Sequence, residues 1–125
     1  MQAIEATMAT TLENAEAAVR KALGNHGFGV LTEIDVAYTL KDKIGIDRTP
    51  MKILGACNPV LAHRALEVDP DAALVMPCNV VLEEVEPGKT VIRAVDPHSI
   101  ISGEELKELA DDATNKLTEA LADLN

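Results

Sequence analysis

The sequence predicts an α+β domain, with one mixed, mainly antiparallel sheet and two long helices packed on one face. Three observations point there. Apolar residues recur at helical spacing near both ends of the chain, short apolar runs bounded by proline and glycine lie between them, and Glu86-Pro87-Gly88-Lys89 reads as a hairpin turn. The 125 residues match one ordinary domain spanning 1–125, large enough to bury roughly two thirds of its unfolded surface.

Residues 1–9 alternate Ile4, Ala6 and Met8 with Gln2, Glu5 and Thr7, which predicts a first strand. The period then changes. Thr10 and Glu13 form a capping-box pattern ahead of Leu12, Ala15, Val19, Ala22 and Leu23, predicting an amphipathic helix over 11–25 that ends at Gly24 and Gly27. Val30–Val36 reads as a half-buried strand with Val30, Ile34 and Val36 on one face. Residues 37–45 read as a short helix stopped by Gly45 and followed by a loop through Pro50.

Met51–Cys57 is short and apolar, as expected of a strand inside a sheet. Asn58 suits an N-cap and Pro59 the first helical position, so a helix starts there with Leu61, Ala62, Ala65 and Leu66 on its apolar side, until Asp69-Pro70-Asp71 stops it. Residues 73–82 read as a further strand, in which Pro77 imposes a bulge or an unpaired position. The turn at 86–89 leads into a strand over 90–95, antiparallel to it. Ser102 and Glu105 form a second capping box, and the stripe from Leu106 to Leu124 predicts the last and surest helix. The order is β-α-β-α-β-α-β-β-α, without repeat or linker.

Composition excludes several partners. A net charge of −10, from 21 acidic and 11 basic side chains, opposes binding to nucleic acid, whose affinity comes largely from Lys and Arg, and opposes binding to anionic membranes. Phe28 and Tyr38 are the only aromatic residues, too few for stacking recognition. No stretch approaches the roughly 20 apolar residues of a membrane-spanning helix, and no secretory leader is evident, so the expected location is cytoplasmic. His26, His63 and His98 lack metal-ligand spacing, and Gly24, Gly27 and Gly29 do not form a phosphate-binding loop, so no metal or cofactor is implied.

The informative residues are the two cysteines, each followed by asparagine and flanked by proline: Cys57-Asn58-Pro59 and Pro77-Cys78-Asn79. Cys57 falls at the carboxyl end of a strand, one residue before a helix. That terminus favours a thiolate by only about 0.3–1 kcal/mol, too little to make a strong nucleophile at neutral pH. His63 and Arg64 lie on the same helix and would add positive charge if turned inward. The opposing reading makes each thiol a small core hydrophobe, with His63 and Arg64 solvated. Cys78 is expected on the apolar face with Leu74, Met76, Val80 and Leu82, and Asn79 on the other. A disulfide would need their Cα atoms within about 7 Å.

Gly27–Asp35, Ile53–Pro59 with Ala62, Ala65 and Leu66, Asp69-Pro70, and Leu74–Val80 together resemble the domain of unknown function family 302 over most of residues 5–100. The resemblance implies a β-α-β4-α fold like the halves of TATA-box-binding proteins, with inserted short helices, and commonly a homodimer. It implies no reaction and no catalytic residues.

Three functional expectations follow. The first is a homodimeric cytosolic domain that binds a small ligand or a protein partner beside Cys57, Asn58, Pro77, Cys78 and Asn79, with His63 and Arg64 nearby. The second is a thiol-dependent redox enzyme or sulfur carrier in which Cys57 is the nucleophile and Cys78 the resolving thiol. A purely structural role, with a subunit interface covering a sheet edge or face, is the third.

Overall fold

A computed structural model describes residues 2–125; Met1, at the start of the first expected strand, lies outside the described residues. The chain runs β1 (Ala3–Met8), α1 (Leu12–Asn25), β2 (Gly29–Asp35), α2 (Val36–Ile44), β3 (Met51–Cys57) and α3 (Pro59–Val68). A 3-10 segment (Pro70–Val75) follows, then β4 (Cys78–Glu86), β5 (Lys89–Val95), a 3-10 turn (Pro97–Ser99) and α4 (Glu104–Ala122). The α+β class and the single sheet are as expected from the sequence.

The sheet has the order β1-β5-β4-β3-β2, and all four pairings are antiparallel. It is therefore not mixed: β2 to β5 follow one another as antiparallel neighbours, while the connection through α1 carries the chain from β1 at one edge to β2 at the other. β3 lies between β2 and β4, as its apolar sequence requires. β1 pairs with β5, Ala3 opposite Val95 and Met8 opposite Thr90, so distant parts of the chain meet at one edge.

Alternation sends Ala6, Leu54, Ala56, Val80, Leu82, Ile92 and Ala94 into one cluster with Ala15, Val19 and Leu23 of α1 and Leu117, Ala120 and Leu121 of α4. Polar contacts fix α1 over this face. The backbone N–H of Leu12 donates to Glu84 Oε1 at 2.8 Å, and the buried Thr90 hydroxyl donates to the Thr10 carbonyl at 2.9 Å. At the edge of the cluster Lys52 donates to Glu16 at 2.8 Å and also pairs with Glu33. These bonds raise the Lys52 pKa, and they lower that of Glu16 despite the opposing effect of its burial.

Four local expectations change. Thr11, not Thr10, caps α1, accepting from the backbone N–H of Asn14; Gly103, not Ser102, precedes α4, with no side-chain cap. β2 is an exposed edge in which only Val30 is partly buried. An irregularity between Val30 and Thr32 breaks its alternation: Val30 lies opposite Ala56 but Ile34 opposite Ile53, so the two do not share a face. Residues 73–75, expected as the start of a strand, belong instead to a 3-10 segment over 70–75, because Asp69 caps it by accepting from the N–H of Asp71 and Pro70 opens it. Pro77 accordingly sits before the β4 ladder instead of within it, and the Met76–Pro77 peptide is cis.

Candidate functional site

The ends of β3 and β4 place the two cysteines. Ala56 lies opposite Cys78, and Cys57 is the next residue along β3. Strand alternation alone would direct the two thiols to opposite faces. Both nevertheless border one cavity, because the strands end there and α3 and the 3-10 segment continue the wall.

That cavity has a volume of about 270 Å³. Phe28, Leu61, Ala65, Met76, Leu106 and Leu109 are among its apolar lining, and Cys57, Cys78, Asn58 and Ser102 form its uncharged polar edge. Asp69 and Asp71 border it as well. Its walls are a second apolar cluster, built from Leu61 and Ala65 of α3, Ala72 of the 3-10 segment, and Leu106, Leu109 and Ala113 of α4. The buried members of that cluster all come from helical segments, and the sheet meets the cavity only through Ala56, Cys57 and Cys78 at the ends of β3 and β4.

Asn58 holds the cavity's corner. Its Oδ1 accepts from the backbone N–H of Leu61 at 3.2 Å, capping α3, and the residue is only 9% exposed. Its Nδ2 lies 2.9 Å from where a Cβ on Gly27 would stand, and Gly27 has φ +87°, so only glycine lets the turn before β2 pass so close. A similar close approach occurs at Gly55, where an added Cβ would meet Thr32 Oγ1 at 2.1 Å and Pro77 Cγ at 2.6 Å. Pro77 thus lies over the backbone of β3 while also bordering the cavity.

Both cysteines are free thiols and partly buried. Burial pushes the Cys57 thiol up, and burial followed by the neighbouring Cys57 pushes Cys78 up. Loss of hydration thus opposes the weak thiolate preference expected from the start of α3. The influence of one cysteine on the other also reflects how near they are.

The structure does not bring every sequence candidate to this cavity. His63 and Arg64 point elsewhere, into a shallow groove with Glu67, Glu105 and Glu108, where His63 stands 3.9 Å from Glu67. Asn79 lines a groove on the opposite side of the sheet with Val81, Arg93 and Val95. Leu74 is 83% exposed and does not share the Cys78 face, while Val80 and Leu82 do. Residues 74–77 border both the cavity and the opposite groove, forming the wall between them. Among the described residues, no group of three or more His, Cys, Asp or Glu side chains is placed to hold a metal ion.

Sequence reasoning did not single out Phe28, Leu106, Leu109, Asp69 or Asp71 as cavity residues. The α3 and α4 stripes were visible, but a stripe that lines a cavity has the same spacing as one that fills a core.

Over residues 4–124 the sequence matches the family described as Domain of unknown function DUF302. The chain belongs to this family. A crystal structure of an uncharacterized conserved DUF302 protein from Bacillus stearothermophilus superposes with a TM-score of 0.88 at 29% identity, covering 98% of each chain. The α+β architecture of this DUF302 chain is thus shared with a solved relative. No curated protein matches the sequence. Among the described residues, no helix is long and apolar enough to cross a membrane.

Proposed function

We propose that this DUF302 domain binds a small, mainly apolar ligand in the cavity beside Cys57, Asn58, Pro77 and Cys78, without catalysing a reaction. One observation supports this above all: the second apolar cluster encloses a space instead of closing on itself, and both cysteine-bearing segments border it. At about 270 Å³ the space falls just below the roughly 300–1,000 Å³ of drug-sized sites, which suits a ligand of modest size. Neutral thiols in such a wall act as soft apolar contacts. A reducing cytoplasm would keep them so.

The test is a methyl NMR titration with a neutral short-chain alcohol such as hexanol. Saturable shifts confined to Leu61, Leu106 and Leu109 support the reading; shifts scattered over the surface, or none, remove it. The thiol-enzyme alternative is disfavoured by the raised Cys57 and Cys78 pKa values, since the thiolate is the nucleophile. Alkylation of either cysteine faster than a free thiol at neutral pH would restore it.

Self-association is supported by a separate observation. Leu31 and Ile34 on the β2 edge, with Tyr38 and Ile44 of α2 and the adjoining Ile46, are exposed apolar residues close together in sequence. We place a homodimer contact there. Light scattering should give twice the chain mass, and Ile34→Glu should return it to the single-chain value.

A further inference from the structure

Building on the cavity reading, we infer that the ligand is a cationic amphiphile, an alkylamine-like molecule whose apolar chain lies against Leu61, Leu106 and Leu109 and whose charged end faces Asp69 and Asp71. The cavity itself is the site; the charge of its border selects the occupant. Among the described residues, Asp69 and Asp71 are the only charged ones bordering it. Neither carboxylate is paired with a cation among the described residues. Asp69 spends one oxygen on the N–H of Asp71, and both residues are exposed, so the charge lies on a solvent-facing part of the cavity border.

Positive charge from elsewhere does not reach this border. His63 and Arg64 face the groove with Glu67, Glu105 and Glu108. Both thiols have raised pKa values, which leaves them neutral at physiological pH. The net charge of −10 adds a negative background potential. A fatty-acid carboxylate entering here would meet like charge with no side-chain cation beside it, whereas an ammonium would gain two acceptors. The apolar depth binds any of these chains, and the border then orders them amine first, alcohol second, carboxylate last.

The experiment titrates hexylamine, hexanol and hexanoate at pH 7 into the full chain, followed by methyl NMR and calorimetry. Hexylamine should bind about tenfold more tightly than hexanoate, a preference expected to shrink as salt screens the exposed carboxylates. In the double variant Asp69→Asn with Asp71→Asn, the preference should vanish while hexanol affinity stays unchanged; asparagine at position 69 keeps the cap. In Ala65→Leu, which fills the cavity, all three should lose binding. Equal affinity for hexanoate, a preference that survives the double variant, or amine binding that survives Ala65→Leu each overturns the inference. If none of the three binds the native chain, the cavity reading falls first and this inference with it.

Discussion

Two apolar regions of this molecule are built from the same residue types and finish differently. In the cluster between the sheet and the two long helices, Val19, Leu23, Leu54, Val80, Leu82, Ile92 and Leu117 are all 0% exposed. In the cluster around the cavity, every buried member retains 6 to 9% exposure. α4 serves both, with Leu117, Ala120 and Leu121 in the first and Leu106, Leu109 and Ala113 in the second. The difference arises from what lies opposite. A pleated sheet offers a continuous surface that helix side chains can fill, whereas α3 and a 3-10 segment meeting α4 leave a gap.

Truncation should separate the regions most strongly. Leu82→Ala is expected to cost about 2–5 kcal/mol, because it opens a void in a region that cannot collapse. Leu106→Ala, beside an existing cavity, should cost no more than about half of that. Urea unfolding midpoints measure both, and equal losses would erase the distinction.

Enlargement should give the reverse contrast. Ala94→Leu in the closed cluster is expected to destabilise by about 1–3 kcal/mol, while Ala65→Leu should change stability by less than about 1 kcal/mol, since its added methyls enter empty space. Thermal melts of the two variants side by side check this.

Gly55 tests the join between the regions. A Cβ there collides with Thr32 and with Pro77, and Pro77 borders the cavity. Gly55→Ala should therefore cost about 1–2 kcal/mol and shift the Leu61 and Leu106 methyl resonances as well. A stability loss without those shifts would mean that Pro77 does not transmit the change.

The smallest effect expected is acid sensitivity, and it belongs to the sheet side. Burial would push Glu83 up, but hydrogen bonds from Arg93 and Thr49 and the charge of Arg48 outweigh it and lower its pKa below 4.5. Backbone N–H groups of Leu12 and Gly88 do the same for Glu84. With the folded values depressed, the stabilisation is present in full above the unfolded carboxylate pKa and is lost as pH falls through the folded values. Unfolding free energy should therefore decline below about pH 5, and Glu83→Gln should flatten that decline.

Much of this was legible in the sequence, for identifiable reasons. The stripes 12–23 and 106–124 gave the two long helices, and Asn58-Pro59 gave the start of α3 to the residue. The segment 70–75 was not read correctly, although Asp69-Pro70 carries the same cap-and-proline signal as Asn58-Pro59. The apolar run from Ala73 to Met76 outweighed that signal. β2 misled because the irregularity at Leu31 has no local marker in the sequence. The cysteines located the cavity, but its other walls come from helices whose spacing does not reveal whether they enclose space.

The pairing of β1 with β5 has a consequence for how the chain is made. During synthesis the first strand emerges early, yet its hydrogen-bonding neighbour is translated only after three other strands and three helices. Until then the apolar stripe of α1 has an incomplete floor, and β1 waits as an unpaired ribbon. The nascent polypeptide therefore cannot complete its sheet before Val95 has left the ribosome, and that interval is when it most needs protection from aggregation.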